Sequence, residues 1–305
     1  MRTLLLILLL SGCSIHVEND IFAPGPNDDK YFTHGTKFSH IEETKNGRNL
    51  YSLGQNIYTP SDKGEGPLTE EISHILERDR PYSGWIYGEY RKTKFSSADN
   101  FSTKGIQIGC VGRCSLAQLS QQGVHKILGQ KIPAWRDEFQ QRSEPGVILE
   151  YELGKIFNKG EYYGITGELK FKGGNIITDG KGTLSFRAGT GLEVFHPEPI
   201  IFRNPSDSLL PHDSNRVPET RSLFSFYGFL DAEARGVLYN SLLAGSLFQG
   251  ETHRVREEPF IAEGRVGFSV KYRKLRFTYT ISALTNEWKE RKGGFAFGGL
   301  DFSWG

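Results

Sequence analysis

Side chains in this chain alternate between apolar and polar over long stretches, and that period of two constrains the fold more than any other feature. From Tyr163 to Lys172, the residues Tyr163, Ile165, Gly167, Leu169 and Phe171 fall on one side, with Thr166, Glu168, Lys170 and Lys172 on the other. In 262–272, Ala262, Val266, Phe268, Val270 and Tyr272 oppose Glu263, Arg265, Ser269 and Lys271. Segments 274–283 and 226–238 repeat the pattern, again with charge confined to one side. Such alternation marks β-strands. A soluble antiparallel sandwich also alternates, but its strands usually run to about five or six residues. Strands of about ten or more, greasy on one face and charged on the other, belong to a membrane barrel with a polar interior. Aromatic residues gathered near the strand ends fit interfacial girdles.

The segments number about twelve, near 14–22, 33–43, 48–58, 82–94, 101–111, 146–157, 161–173, 181–194, 222–238, 259–272, 274–284 and 293–304. The expected fold is therefore all-β, a single antiparallel transmembrane β-barrel over 14–305 with an even strand count. The last strand places Leu300, Phe302 and Trp304 on one face, in the manner of the closing strand read by outer-membrane assembly machinery. With the N-terminus in the periplasm, the loops near 23–32, 59–81, 112–145, 174–180, 239–258 and 285–292 face outward, and 195–221 lies on the periplasmic side. A net charge of +1 gives no reason to expect nucleic acid as a partner. Outer-membrane lipids are the expected surroundings, and the chain is expected to be a monomer.

Residues 1–13 read as an export signal: Arg2, then a short apolar core from Leu4 to Leu10, then the small residues Ser11-Gly12-Cys13. The core is too short to cross a bilayer, which takes about 20 apolar residues. Leu10-Ser11-Gly12-Cys13 also fits a lipoprotein cleavage box that would leave Cys13 acylated. The remaining cysteines, Cys110 and Cys114, are close enough for a small disulfide loop in an oxidising compartment. Their spacing has no second pair to make a zinc site.

One loop carries helical rather than strand periodicity. Leu116, Leu119, Val124, Ile127 and Leu128 recur at helical spacing between Ser115, a suitable N-cap, and Gly129, a suitable stop. Gln118, Gln121 and His125 share the polar face. This short helix in an extracellular loop is expected to fold over the barrel mouth and present that face to the rim. Near the N-terminus, Glu18-Asn19-Asp20-Ile21-Phe22 and Tyr31-Phe32-Thr33-His34-Gly35 read as two arms of a hairpin. It would hold Asp20 and Thr33 near one rim, where hard oxygen ligands suit a cation. Taken singly, Asp20 equally suits the cap of a turn, and Thr33 the start of a strand.

Those two motifs, with Gln55-Asn56-Ile57-Tyr58-Thr59-Pro60, Asp79-Arg80-Pro81-Tyr82-Ser83-Gly84-Trp85 and the Gln121–Trp135 segment containing His125, resemble the lipid A 3-O-deacylases of the LpxR type. The motifs occur in the family's order through most of the first half of the chain; the second half matches only as barrel strands. The resemblance implies an outer-membrane enzyme of a Gram-negative bacterium that hydrolyses the ester-linked 3′-acyloxyacyl group of lipid A with calcium. It implies His125 as general base, Gln121 beside it, and Asp20, Thr33 and Asn19 at the metal. Arg80 suits a lipid phosphate and equally a rim ion pair. The chain departs from the family shortly after the histidine, where Gln130-Lys131 stand in place of an acidic residue; Glu144 is a candidate substitute.

Two other functions fit parts of the sequence. Pro211-His212-Asp213-Ser214-Asn215 resembles the His-x-Ser motif of outer-membrane phospholipase A, which would make His212 and Ser214 the working pair. A non-enzymatic barrel, such as a small porin or adhesin, accounts for the fold alone.

Overall fold

The computed structural model describes residues 12–24, 31–44, 46–61, 67–97, 99–192, 223–250, 253–291 and 293–304. The export signal through Ser11, the segment 195–221, His212 and Ser214 lie outside the described residues. Twelve strands close into one barrel in which every neighbouring pair is antiparallel. In chain order they are β1 (Cys13–Asn19), β2 (Tyr31–Thr44), β3 (Gly47–Thr59), β4 (Ser83–Phe95), β5 (Asn100–Val111) and β6 (Glu144–Lys159). There follow β7 (Tyr163–Gly174), β8 (Ile177–Thr190), β9 (Phe224–Asn240), β10 (Phe260–Tyr272), β11 (Leu275–Leu284) and β12 (Phe295–Trp304). Three short helices lie in the loops of one end: α1 (Glu70–Leu76), α2 (Ala117–Leu128) and α3 (Ser241–Ala244). With the N-terminus in the periplasm, as expected from the sequence, that end is the outer one. No described helix is long and apolar enough to cross a membrane.

The alternation sorts side chains as the sequence requires. Leu53, Ile108, Leu149, Leu169, Leu184 and Val266 are exposed on the outside of the wall, while Lys37, Glu89, Arg91, Glu152, Lys170 and Arg265 are buried in the lumen. The lumen charges are paired across strands: Lys37 with Glu89 at 2.8 Å, Arg91 and Lys170 with Glu152 at 2.8 and 2.7 Å, and Arg235 with Glu263 at 3.4 Å. Charges removed from water persist only when paired in this way.

Toward the outer end the lumen changes character. Phe32, Tyr58, Trp85, Ile148, Leu284 and Phe297, contributed by strands all around the barrel, join one buried apolar cluster. Ile176 and Ile177 belong to it, which explains why β8 begins at Ile177, earlier than the expected 181. The hairpin turn is cut to 175–176, with the Thr178 hydroxyl bonded to the Gly174 backbone at both N and O. Residues 20–22, expected to finish the first strand, form a 3-10 turn instead, because the Asn19 side chain caps the Ile21 amide at 2.9 Å.

Among the described residues the lumen is lined by paired charges below and a buried apolar cluster above, side chains that obstruct a water path. Purified protein in a planar bilayer is therefore expected to show no single-channel conductance above the lipid baseline. Steady porin-like openings would show that the plug is not closed.

Candidate functional site

The site is built on the outside of the wall, starting from the end of β1. Asn19 pairs with Gly298 on one side and His34 on the other. The 3-10 turn that follows, Asp20–Phe22, lies over the outer surface of β12. A Cβ at Gly298 would come within 2.5 Å of Phe22, and the Tyr279 hydroxyl donates to the Phe22 carbonyl at 2.5 Å. Glycine at 298 is thus a condition for this turn to seat. The turn buries Asp20 one step beyond the last ladder pair, on the side facing Thr33.

Thr33 owes its position to a bulge. The β2–β3 register jumps from Phe32 opposite Tyr58 to His34 opposite Ile57, leaving Thr33 as the extra residue. Phe32 points into the plug, whereas the Thr33 hydroxyl meets the Thr59 hydroxyl at 2.5 Å. Beside it, the Asn19 amide reaches His34 Nδ1 at 3.5 Å, and His34 Nε2 donates to the Thr36 hydroxyl at 2.6 Å. A polar patch of amide, imidazole and hydroxyl groups therefore lies on the lipid side of the wall, directly above exposed Phe38.

The second half of the site is carried by α2. The chain leaves β5 through a tight 3-10 turn, Gly112–Ser115, held by the Cys110–Cys114 disulfide expected from the spacing. Ser115 sits one residue ahead of the observed cap: its hydroxyl accepts from the Ala117 amide at 3.3 Å and donates to the Gly112 carbonyl at 2.5 Å. Gly129 ends the helix in the left-handed conformation, as its residue type allows.

The helix does not cover the mouth as expected. It packs on the outer surface of β3 and β4, because the plug already fills the mouth and Gly84 opens a recess in the wall. A Cβ at Gly84 would lie 2.3 Å from Ala117 Cβ and 2.2 Å from Ser115 Oγ. Gln55 on the same surface donates to the Ser115 carbonyl at 2.6 Å. Ile57, Tyr82, Ala117, Trp135, Phe139 and Leu76 of α1 form the buried cluster beneath the helix.

The polar face of α2 turns toward the returning loop. Trp135 Nε1 donates to Gln121 Oε1 at 2.7 Å, burying the glutamine, and Gln122 donates to the Pro133 carbonyl at 3.0 Å. His125 Nδ1 lies 2.6 Å from the Lys131 carbonyl oxygen. A carbonyl can only accept, so Nδ1 carries the proton and the lone pair resides on Nε2.

Asn19, Asp20 and Thr33 thus share the lip of β1–β2, and Gln121 and His125 stand over the adjoining lip of β3–β4. Ile57, opposite His34 and beneath Ala117, joins the two halves. Arg80 is not brought to this surface. It is buried on the lumen side, 3.3 Å from Glu287 and with its guanidinium 4.3 Å over the Tyr58 ring. Glu144 is bonded to Asn175 at 2.8 Å at the start of β6, not to the histidine. Sequence reasoning overlooked His34, Thr59 and the Lys131 carbonyl. The signal for His34 was available, since the alternation of β2 puts a histidine on the lipid side of a membrane strand.

A family model described as Outer membrane protein LpxR matches residues 10–305 of this chain. LpxR from Salmonella typhimurium superposes with a TM-score of 0.78 at 20% identity, covering 96% of this chain and 99% of that one. The β domain of the Bordetella autotransporter Brka covers 96% of this chain and 98% of its own at 7% identity, with a TM-score of 0.46. No curated protein matches the chain.

If Gly84 is the recess that seats α2, then Gly84→Val should leave the barrel assembled and heat-modifiable on a gel while dislodging the helix. Protease added outside intact cells is expected to cut between 117 and 131 in the variant and spare the parent. Equal resistance would mean that the helix is held elsewhere.

Proposed function

The chain belongs to the LpxR family of outer-membrane proteins, and from that premise we propose that it is a lipid A deacylase releasing the 3′-acyloxyacyl group through a water activated by His125. In this reading Nε2 of His125 takes a proton from water as the water oxygen bonds to the ester carbonyl carbon. The tetrahedral intermediate then collapses, the carbon–oxygen bond to the sugar breaks, and the sugar oxygen recovers the proton from His125. Lipid A is left with a free 3′-hydroxyl, and the acyloxyacyl chain departs as a carboxylic acid. Gln121, locked by Trp135, orients the helix face that carries the base.

The observation that supports this reading most is the bond from His125 Nδ1 to the Lys131 carbonyl. A general base needs its proton on the far nitrogen, and a carboxylate usually secures that arrangement. In this reading a main-chain oxygen does so, within the Gln130-Lys131 pair that stands where the family has its acidic residue.

Calcium fits the donor set on the β1–β2 lip. The donors are oxygens: the buried Asp20 carboxylate and the Thr33 hydroxyl, with Asn19 capping the turn that carries Asp20. Oxygen donors suit a hard cation. No group of three or more His, Cys, Asp or Glu gathers among the described residues, so substrate oxygens and water would complete the shell. When bound, the ion supplies positive charge for the developing oxyanion. Arg80, paired with Glu287 behind the wall, has no part in this scheme.

Mass spectrometry of lipid A from outer membranes carrying each variant tests the scheme. The parent protein with calcium should remove one acyloxyacyl group; chelation with EDTA should stop it, and added calcium should restore it. His125→Asn should lower the rate by about 10²–10⁴, and Asp20→Ala should raise the calcium requirement. Ser214→Ala should change nothing. Parent-level deacylation by folded His125→Asn, or loss of activity in Ser214→Ala, would overturn the assignment.

A further inference from the structure

The lipid-facing wall of the barrel is almost free of charge, and the exceptions gather in one region. Among the described residues, the outward positions of the strands carry Glu42 on β2 and Lys92, Lys94, Lys104 and Lys155 on β4, β5 and β6. From β7 round to β1 those positions carry no Asp, Glu, Lys or Arg. The register draws the lysines together. Lys92 stands directly opposite Lys104, Lys94 faces Ser102, and Lys155 faces Asn100 on the other edge of β5. Like charges directly opposite on one face of a sheet repel. Among the described residues no carboxylate pairs with Lys92, Lys94 or Lys104, and Lys155 lies 5.7 Å over the Phe157 ring. Glu42 accepts from the Asn49 amide at 3.3 Å, and Asp99 occupies the turn between β4 and β5. The patch keeps an excess of positive charge. Its depth is marked by the residues above it. Tyr51, Tyr90 and Tyr151 are exposed there, the rings of Tyr51 and Tyr90 5.3 Å apart, and Leu53, Ile108 and Leu149 follow toward the outer end. Exposed tyrosines belong at the headgroup level, so the lysines below them reside among headgroups on the side of Cys13 and Trp304, the periplasmic one.

We propose that this patch binds the phosphodiester headgroup of an anionic phospholipid in the inner leaflet. Lys92 and Lys104 share the phosphate, Lys94 flanks it, and the Ser102 hydroxyl between the strands donates to it. Three features favour a lipid over a free anion. The patch is on the wall rather than in a loop, and the tyrosines set it at headgroup depth. The third is a hollow along the wall, lined at its β5–β6 end by Ser102, Tyr151 and Lys155. An acyl chain can lie in that hollow while its headgroup stays on the lysines. The patch is at the opposite end of the barrel from Asp20 and His125, and the proposal stands apart from the deacylase reading.

Native mass spectrometry of the folded, detergent-purified protein tests this. The probes are dioleoyl phosphatidylglycerol, dioleoyl phosphatidylcholine, lipid A and inorganic phosphate. The parent protein should retain phosphatidylglycerol about tenfold or more over phosphatidylcholine. Lys92→Gln combined with Lys104→Gln should cost about tenfold of that preference. Lys92→Arg combined with Lys104→Arg should keep it, and Lys289→Gln in an outer loop should leave it unchanged. Heat-modifiability on a gel shows that each variant is folded. Equal retention of the two phospholipids by the parent, or an unchanged preference in the double glutamine variant, would overturn the site. Inorganic phosphate held as well as phosphatidylglycerol would remove the lipid assignment. Lipid A held better than phosphatidylglycerol, and released by the same double variant, would move the patch to the other leaflet and overturn the proposal as stated.

Discussion

The seam between the first and last strands is the contact on which the rest of the molecule depends. β1 is paired to β12 from Cys13–Trp304 to Asn19–Gly298, and to β2 over the same seven residues. In hydrocarbon, an open sheet edge would leave its amide and carbonyl groups unsatisfied at a cost of several kcal/mol each. Closure removes that cost and at the same moment creates the site. The final residue of β1, Asn19, caps the turn bearing Asp20, faces His34, and sits beside the glycine that lets the turn lie down on β12. The cap and the contact with His34 belong to the β1–β2 hairpin, but the turn gains its seat on Gly298 only when β1 pairs with β12, so barrel closure completes the site.

Filling the lumen has a second consequence. Buried ion pairs such as Arg91–Glu152–Lys170 repay little of their desolvation, yet they occupy the interior with side chains that need no water column. The apolar plug above them seals the mouth. A barrel built this way has one large surface left for chemistry, its outer wall, and there the loops of the outer end descend. The Asp20–Phe22 turn settles over β12, α2 settles over β3 and β4, and the face of β1 and β2 lies between them. A concavity of about 1280 Å³ runs along the wall of β5–β11 and is lined by Gly167, Gly182, Ala234 and Ala262 among others. It carries none of these polar groups. Size alone is a poor guide here, because small residues on a lipid-facing wall leave hollows that hydrocarbon fills.

Strand number and facing were legible in the sequence because alternation is a local property: Lys170 and Glu263 had to point inward once Leu169 and Ala262 pointed to lipid. The helix in the long loop was legible from the spacing of Leu116, Leu119 and Ile127, and the disulfide from the nearness of Cys110 to Cys114. Where the helix docks was not legible. That depends on a recess at Gly84 and an acceptor reached by Gln55, and neither glycine nor glutamine announces a partner distant along the chain. The bulge at Thr33 escaped for a similar reason, since an extra residue shows only when the partner strand is known. Arg80 suited a lipid phosphate or a rim ion pair; the structure gives it an ion pair, with Glu287, but one buried on the lumen side, and a partner 207 residues away cannot be read from the chain.

The histidine shows most clearly how sequence and structure divide the information. A missing acidic residue beside His125 weakens the chemical case as long as the role is assigned to a side chain. The role has two parts, however: fixing the tautomer and stabilising the imidazolium once it forms. Loss of the first part in the serine-protease triad is costly, about 10⁴ in rate when the acid becomes an amide that selects the wrong tautomer. A backbone carbonyl does not carry that penalty, because it can only accept and therefore fixes the same tautomer as a carboxylate. It gives up the second part, the full negative charge beside the imidazolium. On the proposed mechanism His125 keeps its alignment without a carboxylate beside it, which shifts more of the burden of charge stabilisation to the oxygens of Asp20 and Thr33 and whatever cation they hold.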